Sequence, residues 1–232
     1  AASLELIHNF SLIHDDVQDG DATRRGRSTI WKLWGVPKAV AAGNAMRALA
    51  DNALLSLSEL GATDAITLNA SLALTTRYME MIEGQYLDLA FENSNTVTTS
   101  KYLDMISRKT GALVQSAMFV GALVATGKSG IAEAFGQCGR LLGQVFQVRD
   151  DYLGIWGTPS KVGKPIGSDI RRKKKSLPVV HVFQEAKGLD LKWLRQIYQA
   201  SQIESSGVRD VMKLMDGLGT RAYVEEVAQR EA

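Results

Sequence analysis

The sequence predicts an all-α protein, and three features of the chain carry that prediction. No proline occurs in residues 38–158, and a span of this length without a helix breaker is typical of long helices. Alternating patterns of the kind that strands show are essentially absent. Within the span, apolar side chains recur every three or four residues, as on one face of a helix, for example at Leu113, Ala117, Val120 and Val124. We therefore expect one helical domain over residues 1–232.

The composition excludes several classes of protein. The 232 residues are 45% hydrophobic, which is enough for a substantial core. Lys and Arg number 27 against 25 Asp and Glu, a net charge of +2, so the surface is not basic and we expect no nucleic-acid partner. We also expect no transmembrane segment, since no charge-free apolar stretch reaches the length of a membrane span. The single cysteine, Cys138, cannot form an internal disulfide, which favours the cytoplasm.

The first helix, over about residues 2–19, is apolar on every side and should be buried among other helices. It ends on Asp15, Asp16 and Asp19. Positions i and i+4 of a helix share a face, so Asp15 and Asp19 point the same way with Asp16 beside them. Two carboxylates about 4 Å apart repel by about 4 kcal/mol at an effective dielectric constant of about 20. Oxygen ligands favour Mg²⁺ as the compensating cation, with a solvated acidic helix end as the alternative.

A second acidic pair, Asp150 and Asp151, ends another long apolar stretch, with Gln147 one helical turn before it. Taken alone, this pair is also explained by an amphipathic helix with a polar end. Two carboxylate groups at the ends of two apolar helices favour a shared role. Facing each other across a cavity, they would hold several Mg²⁺ ions around a polyphosphate, with an apolar well beneath.

Cations suited to a phosphate follow each acidic group. Arg24 and Arg25 come shortly after the first group, and Lys164 follows the second. Arginine makes bidentate phosphate contacts, and lysine acts as a compact charge. Lys109 and Thr110 place a cation and a hydroxyl inside an otherwise apolar helix. An exposed lysine before a packing glycine explains the same pattern.

Four strings of residues, in this order, resemble the trans-isoprenyl diphosphate synthases, and among them most the geranylgeranyl diphosphate synthases. They are DDVQD with the following RRGRSTIW, then KTGALVQSA, then GQVFQVRDDYLGIWG, and then GKPIGSDIRRKKKSLP. Each string alone is weak, whereas four in order with matching spacing are specific. The resemblance implies an isoprenoid synthase-type bundle of helices around a central cavity, without the family's first helices in this chain. It also implies a homodimer.

The resemblance further implies a reaction in which an allylic diphosphate ionises, the double bond of isopentenyl diphosphate attacks the cation, and a proton is lost. Three Mg²⁺ ions per active site would be bound by Asp15, Asp16, Asp19, Asp150 and Asp151. The allylic diphosphate would be bound by Arg24, Lys109 and Lys164, and isopentenyl diphosphate by Arg25.

The same resemblance gives three further residues a role. Thr110 and Gln147 would present oxygen dipoles to the developing allylic cation, as an electrostatic form of catalysis. Lys174 matches a family lysine that binds substrate. It lies in the basic run at residues 171–175, of which we expect at most one lysine to reach a site, because charge runs are usually solvated.

Two departures from the family pattern bear on function. Gly154 stands where many relatives carry a third aspartate, so water would replace one metal ligand. The family's Gly-Gly-Lys and arginine segment, which binds isopentenyl diphosphate, would precede Ala1. Either this chain is a portion of the protein or the protein has lost condensation. A class I terpene synthase and a non-catalytic partner of an active synthase are the alternatives.

Product length is argued from the first helix. Phe10, with the small Ser11 beside it, lies five residues before Asp15, which places it roughly 7 Å below the metals at about 1.5 Å per residue. An aromatic residue there would close the cavity that holds the growing chain. The resemblance implies that an aromatic residue here, without an insertion in the aspartate motif, gives a product of twenty carbons, with fifteen carbons or a longer chain as alternatives. An ordinary core position for Phe10 is the competing interpretation.

Overall fold

The structure, a computed structural model, describes residues 1–92, 94, 96–158 and 166–231. The prediction of an all-α fold is confirmed. Over the described residues the helices are α1 (Ala2–Gln18), α2 (Ile30–Trp34), α3 (Val36–Leu55), α4 (Asp64–Glu92), α5 (Thr99–Ile106), α6 (Ala112–Thr126), α7 (Ser129–Trp156), α8 (Ser168–Arg171), α9 (Leu177–Glu185), α10 (Gly188–Gln199), α11 (Ser205–Gly217) and α12 (Thr220–Arg230). A π-helical segment, Ser107–Gly111, joins α5 to α6.

The chain forms two compact units. Unit 1 consists of Ala1–Met79 and Leu113–Gly139, and unit 2 consists of Glu80–Ala112 and Arg140–Ala232. The first acidic group belongs to unit 1 and the second to unit 2. One domain over residues 1–232 stays a prediction.

In unit 1, helix α1 packs along helix α3. The first predicted helix is confirmed, but its burial on every side is not. Ile7 and Phe10 are buried, as is Ala39 on α3, whereas Leu6 and Leu12 are only partly buried. The helices approach closely because Gly43 has no side chain: a β-carbon there would overlap the imidazole of His14. The Nε2 atom of His14 lies 3.3 Å from the carbonyl oxygen of Val40, so this histidine is a packed polar group.

A short β-hairpin follows α1 and was not expected from the sequence. Strands β1 (Thr23–Arg24) and β2 (Arg27–Ser28) pair in antiparallel register. The two residues between them, Arg25 and Gly26, have φ angles of 51° and 75°. Positive φ at both central positions is what a tight two-residue hairpin turn requires. The turn folds the chain back, so that Arg24 returns towards α1 while Arg25 lies exposed at the tip.

Two clusters of buried side chains lie among the described residues of unit 2. One joins the end of α7 to helices α9–α11 and includes Ile155, Val182, Leu194, Val211 and Met215. The other joins α5, α7, α9 and α12 and includes Tyr102, Ile106, Val148, Leu177 and Val224. Burial of an aliphatic side chain contributes about 1.5–3 kcal/mol, so these clusters fix α7 against the helices around it. The polar residues on the same turns of α7 are thereby held in place.

The stretch Thr99–Thr126 is the one helical stretch among the described residues that is long and apolar enough to cross a membrane, by length and composition alone. Core helices pass the same test, so this is weak support for a membrane span. Thr98 caps the N-terminus of the stretch, as its side chain accepts a hydrogen bond from the backbone N–H of Lys101 at 3.3 Å. Arg108 and Lys109 interrupt the apolar sequence at the π-helical segment.

Candidate active site

The carboxylates at the end of α1 share one guanidinium. The Nε atom of Arg24 donates to Asp16 Oδ1 at 2.7 Å, and its Nη2 donates to Asp15 Oδ2 at 3.1 Å. Asp16 is almost completely buried, and that burial raises the pKa of its carboxyl group, while the charge and hydrogen bond of Arg24 lower it. The balance leaves the pKa above its usual value. Arg24 thus compensates the repulsion that the sequence predicts between these carboxylates.

The hairpin that carries Arg24 is fastened to the end of α1. The Thr29 hydroxyl and the Trp31 indole N–H both donate to the carbonyl oxygen of Asp21, at 2.7 and 2.8 Å. Asp19 is the C-cap of α1, and its backbone N–H donates to the carbonyl oxygen of Asp15 at 2.8 Å. These bonds fix the return path of the chain, and with it the position of the Arg24 guanidinium.

Phe10 and Ser11 precede this group on α1. The Phe10 ring is 6% exposed and meets the rings of His14 and Tyr78 edge-on, with centroids 4.6 and 5.7 Å apart. The Ser11 hydroxyl donates to the carbonyl oxygen of His8 at 2.7 Å. Phe10 is therefore packed on two sides by aromatic rings of unit 1.

In unit 2, Lys109 and Thr110 lie in the π-helical segment. Helix α4 can come very close to that segment because Gly84 has no side chain. A β-carbon at this position would overlap the backbone of Lys109. The Nζ atom of Lys109 lies 2.5 Å from Asp88 Oδ2 on α4. π-Helical turns occur frequently at functional sites, and here the turn carries both predicted residues.

The structure brings Thr110 and Gln147 together. The Thr110 hydroxyl donates to Gln147 Oε1 at 2.9 Å, across 37 residues of sequence. Glycines on both helices allow the approach, since a β-carbon at Gly143 would lie 2.7 Å from the Cα atom of Gly111. This hydrogen bond thus positions two polar oxygens between the π-helical segment and α7.

The two aspartates near the end of α7 have different environments. Asp150 is exposed and accepts no hydrogen bond from the described residues, whereas Asp151 is completely buried. Lys174 Nζ lies 3.6 Å from Asp151 Oδ1. Desolvation lowers the pKa of Lys174, but the nearby carboxylates, Asp151 foremost, raise it by more, so the pKa is well above its ordinary value. Lys174 therefore stays charged beside this group.

The sequence matches a known protein family and curated relatives of that family. The polyprenyl synthetase family profile matches residues 1–215. The chain belongs to the polyprenyl synthetase family. A geranylgeranyl diphosphate synthase of Mycobacterium tuberculosis is 42% identical over 180 residues, which are 78% of this chain and 50% of that protein. A (2E,6E)-farnesyl diphosphate synthase of Mycobacterium bovis is 45% identical over 180 residues, 77% of this chain and 48% of that protein.

Solved structures agree with the family. The crystal structure of a geranylgeranyl pyrophosphate synthetase from Pyrococcus horikoshii matches with a TM-score of 0.91 and 36% identity, over 99% of this chain and 68% of that one. The predicted isoprenoid synthase-type helical fold is therefore confirmed. This polyprenyl synthetase chain spans about half the length of the two curated relatives.

Three polar residues of this polyprenyl synthetase site are not among those predicted from the sequence. Asp88 pairs with Lys109, and the Tyr102 hydroxyl donates to Asp151. The carboxylate of Asp169 lies directly against Gly154, where a β-carbon would overlap it. For Asp88 and Tyr102, the indication in the sequence was a polar side chain within an apolar helical stretch. The contact between Gly154 and Asp169 joins two separate helices, so no local sequence pattern indicates it.

Of the basic run, Lys174 is the lysine that reaches the carboxylates. Lys173 instead donates to the carbonyl oxygen of Ala200. Lys175 lies over the rings of Phe183 and Tyr198, 4.8 and 5.4 Å from their centroids. Lys174 alone of the three lysines lies beside the carboxylates, but the expectation that the rest of the run is solvated is wrong for Lys175, which is buried against these rings. Lys164, the other predicted diphosphate ligand, lies outside the described residues.

The chemistry of the donors fits Mg²⁺. Among the described residues no three His, Cys, Asp or Glu side chains form a group that would hold a metal by themselves. Mg²⁺ does not require such a group, because it typically binds one or two carboxylates together with water and substrate phosphates. The aspartates of both acidic groups carry oxygen ligands only, which are the ligands that Mg²⁺ prefers.

Proposed function

We propose that the protein is an Mg²⁺-dependent trans-prenyltransferase that condenses isopentenyl diphosphate with an allylic diphosphate and releases geranylgeranyl diphosphate. The observation that carries the proposal is the Arg24 guanidinium bound to both Asp15 and Asp16. An arginine that compensates two adjacent carboxylates at the end of a helix provides both parts of a metal–diphosphate site. Membership of the polyprenyl synthetase family supports the same reaction.

The residues divide the work by charge. Asp15, Asp16 and Asp19 in unit 1 and Asp150 in unit 2 would hold three Mg²⁺ ions together with the allylic diphosphate. When bound, Mg²⁺ supplies Lewis-acid stabilisation of the leaving diphosphate. Arg24, Lys109 and Lys164 bind that diphosphate, and Lys174 adds a fixed positive charge. Arg25, exposed at the hairpin tip, binds isopentenyl diphosphate.

The chemical step needs no covalent nucleophile. The carbon–oxygen bond of the allylic diphosphate breaks, and its electron pair leaves with the diphosphate. The π electrons of isopentenyl diphosphate form the new carbon–carbon bond, and the departing diphosphate takes the proton. Thr110 and Gln147, joined by a 2.9 Å hydrogen bond, present oxygen dipoles to the allylic cation, which is electrostatic stabilisation by preorganised groups.

A homodimer in the cytoplasm completes the proposal. Leu68, Leu72 and Met79 on α4 are 59%, 58% and 50% exposed, and apolar side chains exposed on successive turns favour a protein partner. A second copy of the chain is the partner we infer. The free Cys138 is consistent with a reducing compartment.

The substitution Asp15→Ala tests the catalytic role of the first acidic group. We expect turnover of isopentenyl and allylic diphosphates to fall by roughly a thousandfold or more, because ligands of a catalytic metal–diphosphate site act as a unit. Asp64→Ala, which removes an exposed aspartate from the first turn of α4, is the matched control and should retain turnover. If Asp15→Ala keeps its turnover, the first acidic group is not part of the catalytic site. A regulatory partner would have no turnover of its own, and as Asp15→Ala it would still bind and modulate an active synthase.

A further inference from the structure

The two neighbouring aspartates of α7 differ in what they contact, and the family resemblance gives both to Mg²⁺. We propose that Asp151 is a positioning residue which, together with Tyr102, holds the Gln147 amide and the Lys174 ammonium in place instead of binding Mg²⁺. The inference rests on the proposed prenyltransferase function, since it assigns the parts of that same site.

The oxygens of Asp151 are already occupied by donors of the protein. Oδ2 accepts hydrogen bonds from the Tyr102 hydroxyl and from the backbone N–H of Leu177 at 2.9 Å. Oδ1 accepts from Gln147 Nε2 at 3.1 Å and lies 3.6 Å from Lys174 Nζ. A carboxylate has about four acceptor sites, and four donors surround this one. A metal ion would have to displace a donor from a side chain that is completely buried.

Each of these donors belongs to a different part of unit 2. Tyr102 is on α5 and only 1% exposed, so its hydroxyl needs an acceptor inside the core. Leu177 is the first residue of α9, where backbone N–H groups lack partners within the helix. Asp151 on α7 satisfies both groups, and it thereby fixes the distance between three helices.

The bond to Gln147 determines how that amide is oriented. Because Nε2 donates to Asp151, Oε1 faces Thr110 and accepts the hydrogen of its hydroxyl at 2.9 Å. The lone pairs of the Thr110 oxygen then remain available for a developing cation. Without Asp151 the Gln147 amide could rotate, and both oxygens would lose this orientation.

Asp150 has the opposite environment. It is exposed, and it accepts no hydrogen bond in the part of the chain that the structure describes. Successive residues of a helix point about 100° apart, so burying Asp151 leaves Asp150 at the edge of the buried face. An exposed carboxylate retains its oxygens for a hydrated Mg²⁺.

Three substitutions in the full-length protein separate the two roles: Asp150→Asn, Asp151→Asn and Tyr102→Phe. Binding of Mg²⁺ in the presence of inorganic pyrophosphate is measured by calorimetry, and kcat and the Mg²⁺ concentration for half-maximal activity are measured with isopentenyl and allylic diphosphates. We expect Asp150→Asn to weaken Mg²⁺ binding roughly tenfold or more. Asp151→Asn and Tyr102→Phe should leave Mg²⁺ binding within about twofold and lower kcat roughly tenfold or more. Tyr86→Phe removes a hydroxyl from an exposed tyrosine and is the control that should change neither quantity.

Two results would overturn the assignment. One is a loss of Mg²⁺ affinity in Asp151→Asn as large as in Asp150→Asn. The other is an unchanged kcat with only a lower melting temperature in Asp151→Asn and Tyr102→Phe, which would make the contacts purely structural. If Asp151→Asn does not fold, the result for Tyr102→Phe decides between the two roles. This substitution removes only the hydroxyl that donates to Asp151 and leaves the carboxylate in place. If the unsubstituted protein forms no prenyl diphosphate, the proposed function fails, whereas the Mg²⁺ binding data still compare Asp150 with Asp151.

Discussion

At the scale of single residues, Arg24 shows how the protein tolerates adjacent carboxylates. Both guanidinium bonds reach the end of α1 from a hairpin whose turn forces Arg25 to adopt a φ angle of 51°. A residue other than glycine in this region costs of order 1–3 kcal/mol and is held there by the surrounding structure. Arg24 thus supplies a counter-charge to Asp15 and Asp16, while the next cation, Arg25, is exposed.

The substitution Phe10→Ala tests the proposed control of product length. We expect longer products, because the aromatic side chain that would close the cavity is removed. Since Phe10 is buried against His14 and Tyr78, the free energy of unfolding should also fall by about 3–5 kcal/mol. Chromatography of the dephosphorylated products and urea unfolding measure the two effects. An unchanged product distribution with the loss of stability would make Phe10 an ordinary core residue.

At the scale of secondary structure elements, close helix packing at glycines determines where the polar residues lie. Gly84 allows α4 to approach the π-helical segment that carries Lys109, and Gly143 allows α7 to approach Gly111. The positions of Lys109 and Thr110 relative to Asp88 and Gln147 therefore depend on these glycines, because any larger residue would hold the helices further apart.

Gly84→Ala tests this dependence. The added β-carbon would overlap the Lys109 backbone, so the helices must separate, and the free energy of unfolding should fall by about 1–3 kcal/mol. Gly121→Ala on α6 is the control: its β-carbon would meet no atom within 4 Å, and removing a helical glycine should stabilise the protein by about 0.5–1 kcal/mol. Equal effects of the two substitutions in urea unfolding would contradict the packing argument.

A second element-scale prediction concerns His181 on α9. Its ring stacks on Tyr223 of α12 with centroids 4.1 Å apart, and Nδ1 lies 3.0 Å from the Thr220 hydroxyl. Burial lowers the pKa of His181, and Glu185 raises it by less, so the pKa in the folded protein is below its ordinary value. As the pH falls, His181 therefore binds a proton in the unfolded chain before it does so in the folded protein. Stability is therefore fully present above about pH 6.5 and is lost as the pH falls through and below that value.

Urea unfolding at pH 7.5 and pH 5 measures this effect. We expect His181→Gln to have a smaller loss of stability between the two pH values than the unsubstituted protein, while His8→Gln, the control, retains the full loss. An equal loss in His181→Gln and in the unsubstituted protein would contradict the assignment.

At the scale of the whole molecule, the sequence was sufficient to predict the helical fold and to locate the two acidic groups near helix ends. Absence of proline and helical spacing predict the long helices, and the ends of α1 and α7 predict both acidic groups. The contacts that define the site were not predictable in the same way. Tyr102 and Asp151 are 49 residues apart, and Lys109 and Asp88 are 21 apart, so no local pattern relates them. The bonds of Arg24 to Asp15 and Asp16 depend on a hairpin of two-residue strands. Strands of this length are too short to show a periodic pattern.

The measurement that tests the central claim most directly is product analysis of the full-length protein. It is incubated with Mg²⁺, isopentenyl diphosphate and, in turn, dimethylallyl, geranyl and farnesyl diphosphates. The account predicts a linear diphosphate of twenty carbons that requires isopentenyl diphosphate. Cyclic hydrocarbons or alcohols formed from an allylic diphosphate in the absence of isopentenyl diphosphate would contradict it and would make the protein a terpene synthase.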